Sequence, residues 1–133
     1  MQVDVIDLRF QGQVGAIAAF LVSGPSGKIL IETGPESTLE VLVGALKDRG
    51  LSVSDLDAVF VTHIHLDHAG AAGSFAEKGV PVYVHTKGAR HLVDPSRLLD
   101  SSKQVYGERF ELLWGGMTAA PAEKVFEMVD GDL

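Results

Sequence analysis

Three histidines and one aspartate follow directly on a short apolar segment near the middle of the chain. Residues 56–62 predict a buried β-strand, and His63, His65, Asp67 and His68 come immediately after it. The carboxyl end of a strand is where α/β proteins build their sites, because the connections there are open to ligands. The run therefore requires a sheet whose helices leave this end of the strand accessible, which favours an α/β fold.

The N-terminal part of the chain predicts an antiparallel β-unit. Predicted strands cover residues 3–10, 14–22 and 28–32. Gly24-Pro25-Ser26-Gly27 is a typical turn sequence, so the last two strands should form a hairpin.

From residue 37 onward the pattern predicts helix, strand, helix and strand in succession. Ser37 and Glu40 match a capping box that opens a helix, which Gly50 ends. After the apolar strand, residues 67–78 are helical in composition and residues 80–85 are typical of a strand. The order predicts a mixed β-sheet with flanking helices.

The C-terminal third predicts further helix and one more strand. Asp94 is a suitable cap for a helix with Pro95 in its first turn, and Gly115-Gly116 ends the helical region. Residues 125–129 predict a strand, and Asp130-Gly131-Asp132 predicts a turn.

Composition favours one globular domain that acts on a small molecule. The chain has 133 residues, of which 46% are hydrophobic and 22% charged, and no repeat or linker divides it. Its net charge of −7 and the lack of any basic block argue against a nucleic-acid partner, since such partners are bound by neutralising phosphates. We therefore expect a small-molecule substrate and no nucleic acid.

The chain also lacks the features of an exported or membrane protein. It contains no cysteine, so disulfides and thiolate metal ligands are excluded. Asp4 stands where a signal peptide would carry basic residues, and the longest apolar stretch, residues 14–22, is far shorter than the ~20 residues of a spanning helix. A cytoplasmic protein without membrane contact is expected.

The spacing of the polar run suits metal ions. His63 and His65 in extended backbone point the same way with Cα atoms roughly 6.5 Å apart, so both imidazoles can reach one ion. Asp67 and His68 are displaced by the turn into the next helix and would hold a second ion or position a water. The alternative is that Asp67 only caps that helix and that each histidine is an ordinary surface residue. Nitrogen and oxygen ligands without sulfur suit Zn²⁺.

Residues 62–70, with the sequence THIHLDHAG, resemble the HxHxDH signature of the metallo-β-lactamase superfamily, in the form found in its glyoxalase II-like and general hydrolase branches. Residues 29–35 resemble the strand-and-glycine segment that precedes the first helix in that family. The family more often has aspartate where this chain has Glu32.

The resemblance implies an αββα sandwich and a site with two ions, usually zinc, with iron or manganese as alternatives. It implies that His63 and His65 bind the first ion and that Asp67 and His68 bind the second. Water activated between the ions would attack a carbonyl carbon or a phosphorus. Asp67 would orient that water and accept its proton, which makes it the candidate catalytic residue.

The resemblance covers only the N-terminal portion of the family's domain, so residues 1–133 are interpreted as that portion. The later ligands of the family, two histidines and a bridging aspartate, have no counterpart in sequence context. His85 and His91 lie outside the motif. The alternative to a ligand role for His85 is that it contacts a metal ligand without binding the ion, or that it faces solvent. Weak metal binding is therefore expected. One sheet face should lack its cover, which predicts a homo-oligomer or a complementing chain.

Three functions remain open. The first is a metal-dependent hydrolase with a dinuclear zinc site that acts on a small ester, thioester, lactone or phosphoester. The second is an iron-dependent oxidoreductase of the sulfur dioxygenase or flavodiiron type, and the third is a non-catalytic half-domain that needs a partner chain.

A helical segment between residues 86 and 117 has the character of an insertion that shapes a substrate pocket. Arg90 or Arg97 would bind an anionic group of the substrate there, and Tyr106 and Trp114 lie in the same segment. The alternative is a set of solvated helix charges beside core aromatic residues.

Overall fold

A mixed β-sheet forms the centre of the protein in the computed structural model, which describes residues 1–129. Six strands of this range lie side by side in the order in which they occur in the chain. They are β1 (Gln2–Asp7), β2 (Ala18–Gly24), β3 (Gly27–Ile31), β4 (Ala58–Phe60), β5 (Val82–His85) and β6 (Val125–Met128). The first three pair antiparallel, and β3 to β6 pair parallel. The predicted mixed sheet and its N-terminal hairpin are confirmed.

The helices follow the third strand. They are α1 (Leu39–Asp48), α2 (Leu66–Ala69), α3 (Ala72–Glu77), α4 (Thr86–Val93), α5 (Ser96–Tyr106) and α6 (Phe110–Trp114). No helix within residues 1–129 has the length and apolar character needed to cross a bilayer. The predicted turn at Asp130-Gly131-Asp132 lies outside the described residues.

The helix predicted over residues 67–78 is two short helices. The break falls at Ala71, whose N–H donates to the carbonyl of Gly34 (2.9 Å), outside the helix. This contact ties the start of α3 to the loop after β3. The continuous helix was therefore wrong, because a tertiary hydrogen bond takes the place of a helical one.

The predicted capping box at the start of α1 is also wrong. The Ser37 hydroxyl donates to the carbonyl of Leu113 (2.6 Å), and α1 has no side-chain cap at its N-terminus. A capping box does occur one connection later, where Asp55 accepts from the backbone N–H of Ser52 (2.8 Å) and Ser52 caps a single 3-10 turn before β4.

The core lies between the sheet and the helices. Side chains that alternate along the strands are fully buried there, among them Leu21, Leu30, Val59 and Val82, and they pack with Phe75 of α3. Burial of side chains of this size stabilises a fold by about 1.5–3 kcal/mol each. The core holds one face of the sheet against the helices and fixes where each strand ends.

The opposite face of the sheet carries an apolar row that crosses every strand. Neighbours in the register are Val5, Phe20, Ile31, Phe60, Tyr83 and Phe126. The rings of Phe60 and Tyr83 stack at 4.9 Å, and those of Tyr83 and Phe126 at 5.3 Å. The two ends of the row are exposed, with Val5 at 63% and Phe126 at 42%. We call this row the open face.

Candidate metal centre

The predicted ligands lie at the carboxyl end of β4, where the chain turns into α2. His63 and His65 come between the strand and the helix, while Asp67 and His68 lie within the first turns of α2. The rings of His63 and His65 are 6.3 Å apart between centroids and nearly parallel, at 16°. This is the side-by-side arrangement that their spacing predicts.

His68 lies closer to His63 than the sequence suggested. Its ring centroid is 4.7 Å from that of His63, and its Nε2 atom is 3.5 Å from Oδ2 of Asp67. The structure therefore gathers His63, Asp67 and His68, with the ring of His65 6.3 Å from that of His63. Within residues 1–129, no three histidine, aspartate or glutamate side chains are arranged to hold one ion together.

The chemistry of the donors fits a divalent ion, although no three of the described side chains are arranged around one ion. Imidazole nitrogens and a carboxylate without sulfur are ligands for zinc, and for iron or manganese as alternatives. The side chains are reachable, since Asp67 is 44% and His68 37% exposed. His63 Nδ1 is 2.9 Å from the hydroxyl of Thr62, so Nε2 is the nitrogen left for an ion.

A buried carboxylate behind the cluster orients it. Glu32 Oε1 accepts from the backbone N–H of Thr62 (2.9 Å) and from its hydroxyl, and Oε2 is 2.9 Å from His68 Nδ1. The Glu32 side chain is only 7% exposed. An ionised carboxylate can only accept, so His68 Nδ1 carries the proton and Nε2 keeps its lone pair. The larger glutamate thus makes the contacts that link strand end to helix.

Backbone strain accompanies this link. Glu32 has φ +68°, in the left-handed region that a residue with a side chain adopts at a cost of about 1–3 kcal/mol. The next two N–H groups, of Thr33 and Gly34, both donate to the carbonyl of His68 (2.9 and 3.2 Å). Two backbone hydrogen bonds therefore attach the loop after β3 to α2. The sequence does not reveal this contact, because it joins residues 34 and 35 positions apart.

Two cavities border the cluster. One, of about 210 Å³, is lined by His63 and His65 together with His85 and Lys87. His85, at the end of β5, thus reaches the site as a neighbour, and its Nδ1 accepts from the backbone N–H of Lys87 (3.1 Å). His91 lines neither cavity.

The other cavity, of about 300 Å³, lies between the cluster and the helical segment. His65 and Asp67 form one side, and Ser102, Tyr106 and Trp114 belong to the other. We call it the aromatic cavity.

Neither predicted arginine reaches the cluster. Arg90 and Arg97 line neither cavity at the histidines, and Arg90 borders a separate cavity that also contains Asp94 and Glu127. A larger cavity, about 760 Å³, lies beside the end of α1 and contains none of the predicted ligands. The structure thus gives no support to an anion-binding role for these arginines.

The fold and the donor set describe an α/β protein with a candidate metal centre at the edge of a mixed sheet. Residues 12–132 match the model of the metallo-beta-lactamase superfamily. The chain belongs to this superfamily.

Curated relatives include metallo-hydrolases of much greater length. The probable metallo-hydrolase YqgX of Bacillus subtilis is 32% identical over 92% of this chain and 51% of its own length. The probable metallo-hydrolase YqjP of the same organism is 28% identical over 92% of the chain and 39% of its own length. The human metallo-beta-lactamase domain-containing protein 1 is 42% identical over 49% of the chain. The chain therefore spans about half the length of these relatives, or less.

Solved structures show the same fold. The subclass B3 metallo-beta-lactamase MEM-A1, isolated from a soil metagenome library, has a TM-score of 0.70 and 23% identity, over 98% of this chain and 44% of that one. The metallo-beta-lactamase family protein TTHA1429 of Thermus thermophilus has a TM-score of 0.69 and 20% identity, over 98% and 46%. The predicted fold class, as part of the metallo-β-lactamase sandwich, is confirmed.

Proposed function

We propose that the chain is a metal-dependent hydrolase that uses a dinuclear zinc site to act on a small ester, thioester, lactone or phosphoester. In this proposal His63 and His65 bind one ion, and Asp67 and His68 bind the other. The observation that carries it is the gathering of these four donors at the end of β4 with Glu32 holding His68.

The ions would polarise the substrate and lower the pKa of a bound water. Asp67 is the residue of this chain that would orient the attacking water and accept its proton, since its carboxylate is exposed beside His68 and borders the aromatic cavity. Glu32 would hold the tautomer of His68 in which Nε2 is free to bind. Membership of the superfamily and the metallo-hydrolase relatives support this reaction class.

One observation favours a second candidate, a half-domain that becomes active only with a partner chain. A catalytic zinc ion usually has three protein ligands, and no group of three is formed within residues 1–129. The partner would supply the missing ligand of each ion. Both candidates predict the same first ligands and differ in the activity of the isolated chain.

Zinc titration by calorimetry tests the proposed ligands. We expect the 133-residue chain to bind zinc weakly and the double variant His63→Ala/His65→Ala to bind less zinc still. His91→Ala is the matched control, because His91 lies on α4 outside both cavities at the cluster. Equal zinc binding by the double variant and the wild-type chain would contradict the proposal.

Metal analysis of the purified chain distinguishes the reaction classes. Zinc together with hydrolysis of ester substrates supports the hydrolase, whereas iron together with oxygen consumption supports the oxidoreductase alternative. Tight stoichiometric zinc binding by a monomer would contradict the need for a partner chain.

A further inference from the structure

The aromatic cavity joins two chemically different sides. One side is polar and belongs to the candidate metal centre, through His65 and Asp67. The other is formed by α5 and α6, where Leu98 and Trp114 contribute apolar surface. A ligand that fills this space therefore needs a polar end at the cluster and an apolar end against the helices.

Aromatic packing makes the far wall rigid. The ring of Trp114 stacks on Phe10 at 5.1 Å and meets the ring of Tyr106 edge-on at 5.5 Å. Such pairs are held in place by their geometry as well as by burial, so the indole is fixed at the wall of the cavity. A preformed apolar wall binds a ligand without the entropy cost of ordering side chains.

The indole also has an unmet hydrogen bond. Trp114 Nε1 is the only buried side-chain nitrogen or oxygen within residues 1–129 that lacks a hydrogen-bond partner. Leaving such a donor unpaired costs free energy in the empty protein. Because this nitrogen is buried, the indole offers the cavity apolar ring atoms rather than an accessible donor.

Charge restricts the ligand further. No lysine or arginine lines the aromatic cavity, and the carboxylate of Asp67 faces it. Away from the cluster, the wall therefore offers no cationic partner to an anionic group, whereas the apolar part of a neutral carbonyl compound needs none. The volume of about 300 Å³ accommodates roughly ten non-hydrogen atoms, if each takes the ~30 Å³ of a liquid water molecule.

We propose that the aromatic cavity is the acyl-binding subsite of this centre and selects neutral esters or thioesters of apolar acids with about six carbons. The acyl chain lies against Leu98 and Trp114, and the carbonyl lies toward His65 and Asp67. This inference rests on the proposed function, since it assigns the substrate of the same site.

Trp114 is the only tryptophan of the chain, so its fluorescence reports on the cavity directly. The metal-free protein is titrated in chelator with hexanamide, a neutral and unreactive carbonyl compound with a six-carbon chain, and with acetamide as the short-chain control. We expect a saturable change of emission with hexanamide and none with acetamide at the same concentrations.

Two adjacent serines of α5 provide matched variants. Ser102 lines the cavity and Ser101 does not. Ser102→Leu should weaken hexanamide binding about tenfold, the effect of keeping roughly two methylene groups out of the cavity. Ser101→Leu should leave hexanamide binding unchanged, because Ser101 is exposed.

The result separates the two proposals because it needs no metal. Zinc binding without any effect of hexanamide on Trp114 overturns the acyl subsite and leaves the hydrolase in place. A hexanamide response that Ser102→Leu and Ser101→Leu change equally also overturns the subsite. A response lost only in Ser102→Leu supports the subsite even if the zinc titration fails.

Discussion

Glu32 is the residue on which the geometry of the candidate centre depends most. It is buried, it sits in a strained backbone conformation, and it holds both Thr62 and His68. Strained residues persist where the surrounding structure fixes them, and they are concentrated at functional sites. A carboxylate in this position can be replaced only by a group that accepts hydrogen bonds on both oxygens.

Glu32→Gln tests this dependence. The amide keeps the shape of the side chain but has one acceptor oxygen, so its NH₂ group must face a donor of either Thr62 or His68. We expect the free energy of unfolding in urea to fall by about 1–3 kcal/mol. Zinc affinity should fall about 10–100-fold, as is common for residues that orient a metal ligand.

Glu77→Gln is the control for that variant, because Glu77 is exposed at the end of α3. It should leave both quantities unchanged. Equal zinc affinity in Glu32→Gln and in Glu77→Gln would contradict the orienting role of Glu32.

At this scale the sequence predicts the residues that lie close together in the chain. That His63 and His65 point the same way follows from their spacing at a strand end, and in the structure their rings lie nearly parallel, at 16°. The approach of His68 to His63 and the hydrogen bonds of Glu32 were not predicted. Both depend on how the loop after β3 meets α2, which is a tertiary contact without a local sequence signal.

At the scale of the elements, a glycine in α3 and a glycine in α1 differ in how closely the neighbouring backbone approaches them. A Cβ atom at Gly73 of α3 would lie 1.9 Å from the carbonyl oxygen of Thr118, whereas one at Gly44 of α1 would meet nothing within 4 Å. The first glycine is required by close backbone packing, and the second is not.

We therefore expect opposite effects from the same substitution. Gly44→Ala should raise the free energy of unfolding by about 0.4–1 kcal/mol, because alanine has the higher helix propensity and restricts the unfolded chain. Gly73→Ala should lower it by about 1–3 kcal/mol or more, since backbone must move to admit the methyl group. Urea unfolding measures both, and a stabilising Gly73→Ala would contradict the packing of α3.

The capping box before β4 gives the fold a pH dependence. The hydrogen bonds from Ser52 hold the pKa of Asp55 below its ordinary value. A pKa lowered by folding contributes stability above the unfolded-state value, and this contribution is lost as the pH falls through the folded-state value. Asp55→Asn should therefore be less stable than the wild type at neutral pH, and the difference should vanish in acid.

Urea unfolding between neutral and acidic pH measures that difference. Asp48→Asn serves as its control, because Asp48 is an exposed aspartate at the end of α1, away from the capping box. A constant difference between Asp55→Asn and the wild type at all pH values would contradict the pKa assignment.

Elements with strong local patterns were predicted well. The hairpin turn and α1 lie where the turn residues and the apolar periodicity place them. The failures arise where a distant group competes for a local hydrogen bond. Ser37 bonds to Leu113, 76 residues away, and Ala71 bonds to Gly34, so the predicted cap and the long helix do not form.

At the scale of the whole molecule, the open face leaves apolar side chains accessible at both ends, at Val5 and Phe126. Six strands about 4.8 Å apart make this face roughly 24 Å wide. In a solution of this chain alone, we expect two copies to associate by packing their open faces against each other.

Sedimentation velocity tests this association. We expect the wild-type chain to form dimers as its concentration rises, and Phe126→Lys to weaken them, because it places a charge in the row and on an edge strand. Leu112→Lys is the control, since Leu112 is 67% exposed on α6 and lies outside the open face. A wild-type monomer at all concentrations would contradict the expectation.

The strand order of the sheet affects how the chain folds during its synthesis. Each strand pairs with the strand before it in the chain, so no strand must wait for a distant segment to be synthesised. The connection between β2 and β3 is only two residues long, and local contacts of this kind favour rapid folding. On a ribosome the β1–β2–β3 meander can form first and serve as a template, and the strand that carries the histidines then docks against an edge that already exists.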